Sequence, residues 1–279
     1  MTTARKAPWV SLGAFFHAPL LALLCGLLLA LPAAADCVLG DADERVALDR
    51  VLDGDTLVLR DGRHLRLIGV NTPELAKRGR AAQPLAREAR EFTRQFLTGG
   101  EITIAYDRDR HDRYGRLLAH VYNHRGDSLE AALLTAGLAF HIAIAPNLTL
   151  AECLAQREQS ARRRGLGVWA PGVWPLKRAA DVRPGDGGFV LLRGTVREVD
   201  RNRYLWLELD GPVALRLPLT DAAGTGDFGQ LRWRNWQGAQ IEVKGWLVDR
   251  GEKYSSRFPQ NKRWFIAVDS PLTLSISRN

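Results

Sequence analysis

The sequence predicts an α+β protein: a five-stranded barrel carrying three helices, followed by a smaller all-β unit. Three observations support this. Short β-rich runs are joined by Asp53-Gly54 and Asp61-Gly62, pairs that mark tight hairpins. Three helical stripes with capping residues interrupt and follow those runs. Beyond residue 187 the apolar residues alternate one in two, the period of strands with one buried face.

The elements follow in chain order. Arg5 and Lys6 precede an apolar run from Pro19 to Leu31, then Ala33-Ala34-Ala35. This is the pattern of a signal peptide over residues 1–35, cleaved before Asp36. The apolar run is short for a membrane span of ~20 residues, so no stable span is expected after cleavage. Val46 to Leu52, Thr56 to Leu59 and His64 to Val70 read as a three-stranded meander, with Gly54 and Gly62 supplying the positive φ of primed turns. Pro84 opens a helix striped by Leu85, Ala89, Phe92 and Phe96 and ended by Gly99-Gly100. Glu101 to Tyr106 and Leu117 to Tyr122 are two further strands. Ser128 N-caps a helix that stops at Gly137, and Thr149 with Glu152 forms a capping box for a third. Five antiparallel strands suit a small OB-type barrel, placed at residues 40–170.

Residues 171–187, rich in Pro, Gly and Ala, read as a linker. In residues 188–279, Leu205, Leu207 and Leu209 share one strand face, as do Val213, Leu215, Leu217 and Leu219. Ile241, Val243 and Leu247, then Phe265 to Val268 and Leu272 to Ile276, continue the pattern. About six strands result by pattern counting, and a second OB-like barrel is expected.

Net charge is +8, so the molecule's field attracts polyanions. Cys25 leaves with the signal peptide, and Cys37 and Cys153 remain. In an exported protein two cysteines point to one disulfide, with two separate thiols as the alternative. The six histidines show no metal-like spacing, which argues against a zinc site. Neither a Gly-rich triphosphate loop nor a serine-nucleophile elbow is present.

Three stretches carry the chemistry: Asp53-Gly54-Asp55-Thr56, Arg66 to Glu74, and Asp112-Arg113-Tyr114-Gly115-Arg116. Singly, each is an ordinary turn, loop or strand start. Jointly they supply oxygen ligands for a hard divalent cation in Asp55 and Asn71. They add two guanidiniums, Arg66 and Arg116, able to fork onto a phosphate. Glu74 adds a carboxylate able to orient or deprotonate water. Phosphodiester hydrolysis needs this combination.

In order and spacing these stretches resemble the staphylococcal nuclease (thermonuclease) family. The resemblance continues through Glu130-Ala131, Gly137-Leu138-Ala139 and Pro146-Asn147 to Trp169, covering about residues 40–170. It implies a five-stranded OB barrel with three helices. It also implies a Ca2+ site (Mg2+ or Mn2+ as alternatives) made by Asp55, Asn71 and the main-chain carbonyl of Thr72. Glu74 then acts on the attacking water, Arg66 and Arg116 clamp the scissile phosphate, and Arg113 and Tyr114 contact the nucleotide's terminal phosphate. The implied partner is DNA or RNA, met in the periplasm or outside the cell. Two departures stand out. The family has Asp where this chain has Asn71, and its stacking tyrosines fall near Ala143 and Ala145 here. Arg232, Trp233, Arg234 and Trp236, and Lys253, Tyr254, Arg257, Lys262, Arg263 and Trp264, interleave charge with rings as a replacement aromatic surface would; the alternative reading is core tryptophans with the arginines on a solvated face. Two other readings stay open: a catalytically weakened nucleic-acid binder, and an envelope interaction protein acting through the C-terminal barrel.

Overall fold

The computed structural model describes residues 37–40, 42–77, 79–219, 228, 233–251 and 262–277. The expected signal peptide and its cleavage site lie outside them. The first barrel is closed by β1 (Glu44–Asp53), β2 (Thr56–Leu59), β3 (His64–Leu67), β5 (Glu101–Ala105) and β6 (Leu117–Tyr122), in the order β1-β2-β3-β6-β5. The run expected to continue to Val70 breaks at Ile68-Gly69. Gly69 has φ +78°, and the next two residues form a separate short strand, β4 (Val70–Asn71), paired with β7 (Phe140–His141).

Gly54 is needed for a different reason than expected. Its φ is not positive, but a Cβ there would stand 2.8 Å from Thr72 Cγ2 and 2.9 Å from Ala89 Cβ. The turn must therefore be bare to let the Thr72 loop and the first helix close on it. Gly62, at φ +87°, does have the conformation a side chain resists.

The helices are α1 (Ala86–Phe96), α2 (Leu129–Thr135) and α3 (Ala151–Arg163). Gly99 and Gly100, both at positive φ, follow α1, whose fully buried positions are Ala86, Ala89 and Thr93, with Phe92 and Phe96 half-buried. Ser128 caps α2 by accepting from the Ala131 N–H. The capping box expected for α3 does not form. Asp107 takes the Thr149 N–H at 3.0 Å and its hydroxyl at 2.8 Å, so Leu150 stands at the cap without a side-chain bond. Cys37, buried in the barrel core, is bonded to Cys153 of α3 with Cα atoms 5.8 Å apart.

The segment read as a linker contains β8 (Leu176–Arg178) and a 3-10 turn at Ala179–Asp181. There follow β9 (Gly188–Arg201), β10 (Tyr204–Leu209), β11 (Val213–Pro218), β12 (Gln240–Asp249), β13 (Trp264–Ala267) and β14 (Leu274–Ser277). Among the described residues this makes seven strands rather than about six, because β8 joins the sheet beside β9. Their order is β14-β12-β13-β11-β10-β9-β8, and an added β12–β9 pairing closes five of them into a second barrel. The alternating residues fill its core: Leu205, Leu207, Leu209, Val213, Leu215, Leu217 and Ile241 are all fully buried. Both barrels lie within one compact unit, Asp36–Asn279.

The barrels meet along an aromatic seam. The Phe140 ring lies 5.3 Å from Trp169, 4.9 Å from Trp174 and 5.1 Å from Phe189 of β9, and Phe189 lies 5.3 Å from Trp246 of β12. Lys244 of β12 pairs with Glu158 of α3, both buried, and Arg162 pairs with Glu242.

Candidate active site

The β1–β2 turn, β3 and the loop after β4 converge on one cluster. Thr56 pairs with Arg66 across β2 and β3, and the Leu67 N–H donates to the Asp55 carbonyl at 3.0 Å. The register thus sets Asp55 beside Arg66. Asp55 Oδ2 accepts the Thr72 N–H at 2.7 Å and meets Arg66 Nη1 at 3.2 Å, while its Oδ1 accepts the Thr56 hydroxyl at 3.0 Å. Arg66 Nη2 donates to Asn71 Oδ1 at 3.1 Å. Asp55 and Asn71 are each only 4% exposed, so Arg66 neutralises a buried carboxylate and orders both oxygens. Thr93 of α1 braces the turn from behind, donating its hydroxyl to the Gly54 carbonyl at 2.7 Å.

Glu74 sits at the open mouth of this cluster. The protein atoms packed around it push its carboxyl above the usual range, helped by Asp55 and Asp53 and opposed by Arg66 and Lys77. Asp53 is raised in the same way, by burial first and Asp55 second. Asp53 therefore adds a third carboxylate to the site, which the sequence reading passed over because Asp-Gly is also a plain turn signal. Gln83 was missed too. Its side-chain oxygen accepts the Glu74 N–H at 2.7 Å, and its own N–H donates to the Glu74 carbonyl at 2.9 Å. Nothing in the local sequence marks such a bridge across nine residues.

The third stretch is built around Asp112. Its Oδ1 accepts the N–H groups of Tyr114 and Arg116, both at 2.9 Å, and its Oδ2 accepts Arg116 Nε at 2.7 Å. Burial raises the Asp112 carboxyl, but these bonds outweigh it and hold the group below the ordinary range. Gly115, at φ +79°, completes the turn. Tyr114 is 70% exposed, with the Arg113 and Arg116 guanidiniums 4.9 and 5.8 Å from its ring centre. Arg116 precedes β6, in which Leu118 pairs with Arg66 of β3. Arg66 and Arg116 therefore lie on, and immediately before, two neighbouring strands of the barrel.

The donor chemistry of the Asp55–Asn71 pair suits a hard divalent cation: a carboxylate and an amide oxygen, both buried, with the Thr72 main chain between them. The Thr72 hydroxyl is a further buried oxygen without a hydrogen-bond partner. Among the described residues, no three His, Cys, Asp or Glu side chains gather into a metal cage by themselves.

Of the two readings of the second barrel's tryptophans, the structure bears out the core one at Trp236 and Trp264. Trp236, ahead of β12, and Trp264, the first residue of β13, are 4% and 2% exposed and belong to the core. Lys262 pairs with Glu208, and Arg263 with Asp249. Arg232, Lys253, Tyr254 and Arg257 lie outside the described residues, as does the Trp233 side chain. Ala143 is buried in a small apolar cluster with Leu148 and Ala151 and has Ala145 packed against it, so no ring stacks there.

A family model described as staphylococcal nuclease homologue matches residues 64–171. The thermonuclease of Staphylococcus hyicus is 36% identical over 124 residues, covering 43% of this chain and 73% of that protein. That of Staphylococcus intermedius is 36% identical over 130 residues, 45% of this chain and 76% of its own length. The endonuclease YncB of Bacillus subtilis (strain 168) is 35% identical over 138 residues, 48% of this chain and 65% of that protein. Barrel, helices and relatives agree, and the chain belongs to the staphylococcal nuclease family as a hydrolase of phosphodiester bonds.

Proposed function

We propose that this nuclease is exported, depends on a divalent cation, and cuts DNA or RNA at the cluster around Asp55, Arg66 and Glu74. The observation supporting this is the buried Asp55–Asn71 oxygen pair, bridged by Arg66, with Glu74 beside it at the mouth. Asp55, Asn71 and the Thr72 carbonyl would hold the cation, Ca2+ by resemblance to the family with Mg2+ or Mn2+ as alternatives. When bound, it would supply Lewis-acid stabilisation of charge on phosphate oxygens. Glu74 takes or orients the proton of the attacking water, and its raised carboxyl is a better proton acceptor than an ordinary glutamate. Arg66 makes one ion pair and two hydrogen bonds in this structure, and a guanidinium carries five N–H donors, so donors remain for a phosphate. Arg116, oriented by Asp112, forks onto the same anion. Arg113 and the exposed Tyr114 extend that surface toward the substrate's flanking phosphate.

The test is cleavage of single- and double-stranded DNA and RNA by the mature protein, with Arg66→Ala and Arg116→Ala alongside. Removing an oriented transition-state donor costs on the order of 100- to 1000-fold in rate, and each variant is expected to lose that much in kcat while staying folded. Two folded variants that cut at the wild-type rate would place the chemistry elsewhere. Export is checked by fractionating cells that express the full chain and sequencing the N-terminus of the product, with cleavage before Asp36 expected.

A further inference from the structure

We propose that the second barrel is a working part of the nuclease site: its aromatic seam holds the Asn71 strand and the Glu74 loop in register, with Phe140, Leu85 and Gln83 as positioning residues. This rests on the roles given above to Asn71 and Glu74. Phe189, Lys244 and Trp246 all lie beyond residue 171, where the family match ends.

Two routes lead from the seam to the site. The first runs through β7. Phe140 is the main-chain partner of Asn71, and the Ile142 N–H donates to the Gly69 carbonyl at 3.0 Å. β4 is only two residues long, far too short to fix its own position. Beside the Arg66 and Asp55 contacts, it is held by Phe140, fully buried, with its ring packed against Trp169, Trp174 and Phe189. The next residue, His141, is tied from the same direction. Its N–H donates to Glu158 Oε1 at 2.7 Å, and the other oxygen of Glu158 is paired with Lys244 of the second barrel.

The second route runs through the entry to α1. Leu85 has φ +66°, the one described non-glycine residue at positive φ. That conformation costs an ordinary side chain roughly 1–2 kcal/mol and persists where surrounding contacts over-determine it. The Leu85 side chain packs into the seam cluster of Phe140, Ile142, Val168, Phe189 and Leu191. Two residues earlier, Gln83 makes both hydrogen bonds to the Glu74 backbone. Loosening the seam releases the contact that offsets the strain at Leu85, and the Gln83 anchor of the Glu74 loop shifts with it. An interface that merely joined two barrels would have no need to load a strained residue two positions from Gln83, which holds both the N–H and the carbonyl of Glu74.

The experiment uses the full mature chain and compares Phe189→Ala, Phe189→Leu and Gln83→Leu with wild type. It measures kcat and KM on single-stranded DNA, calcium affinity by titration calorimetry, and thermal unfolding. A displacement near 1 Å at a reacting group costs about 100-fold, so even a fraction of that shift should lower kcat about tenfold. Phe189→Ala should show this fall with KM little changed, and several-fold weaker calcium binding. Phe189→Leu, which refills the seam, should recover most of both. Gln83→Leu, which touches only the Glu74 arm, should lower kcat and leave calcium affinity alone. If Phe189→Ala does not fold, Trp246→Ala, a partly exposed contact of the same ring, is expected to give the smaller version of the same pattern. Folded seam variants with wild-type kcat and wild-type calcium affinity overturn the proposal. A wild type that cuts nothing overturns the site reading instead, and the calcium affinities then decide the proposal by themselves.

Discussion

At the scale of single residues, the site combines a deficit with a compensation. Asn71 offers an amide oxygen where a carboxylate would add charge, and cation affinity in oxygen sites follows ligand charge count. Asp55 is left as the one buried carboxylate flanking Thr72, and Arg66 already lies against it. Asn71→Asp is therefore expected to lower the calcium concentration for half-maximal cleavage, and Asp55→Asn to raise it steeply. Titrating initial rate against calcium, magnesium and manganese for the three proteins checks this. A midpoint that Asn71→Asp leaves unchanged with every metal would remove position 71 from the ligand set. The same scale shows what the sequence made legible. Asp55, Arg66, Asn71 and Thr72 come together as their motifs implied, because a two-residue turn and a paired strand bring them side by side. Asp53, Asp112 and Gln83 act through contacts that the local pattern does not distinguish from ordinary turn and loop residues.

At the scale of elements, the first barrel is fastened at two points with different chemistry. The Cys37–Cys153 bridge ties the segment before β1 to α3 across a sequence separation of 116 residues. Closing a loop of that length is worth ~4–5 kcal/mol in the chain-entropy model. Replacing both cysteines by serine should lower the unfolding free energy measured in urea by up to that amount, with the fold retained. The second point is the α3–β7–β12 junction. His141 is fully buried, neither ring nitrogen has a hydrogen-bond partner, and its pKa lies well below 6.5 because of burial, with the Lys244 charge as a lesser cause. Such a histidine stays neutral when folded and takes a proton more readily when unfolded. Its contribution is thus complete above the unfolded pKa and lost as pH falls below it, by up to about 1.4 kcal/mol per pH unit. Unfolding free energy should fall as pH drops below about 6.5, and His141→Leu should flatten that slope. An unchanged slope would assign the acid sensitivity to other groups. Elements also show where local signals were overruled. Ser128 caps α2 as its sequence suggests, whereas Thr149 is drawn away from α3 by Asp107, a residue 42 positions earlier.

At the scale of the whole molecule, the second barrel's strands were readable from alternation, but its closure was not. That closure depends on β9 reaching β12 through eight paired positions between residues 188 and 247, a long-range match with no local signature. The tryptophans illustrate the same limit. Beside basic residues, Trp236 and Trp264 leave surface and core both open in the sequence, and they fill the core. Trp169, Trp174 and Trp246, scattered along the chain, gather with Phe140 and Phe189 between the barrels. Among the described residues no helix is long and apolar enough to cross a membrane.

The central claim is that water attack on phosphate takes place beside Glu74, with a divalent cation on Asp55 and Asn71. Single-turnover cleavage of single-stranded DNA by wild type and Glu74→Gln, each with saturating calcium and with chelator, tests it most directly. Glutamine keeps the shape of the side chain and removes its basicity, and general-base catalysis is worth about 100- to 10,000-fold. The account predicts a loss in that range for Glu74→Gln with calcium affinity little changed, and no cleavage by either protein in chelator. Cleavage at the wild-type rate by Glu74→Gln, or wild-type cleavage that survives the chelator, would contradict it.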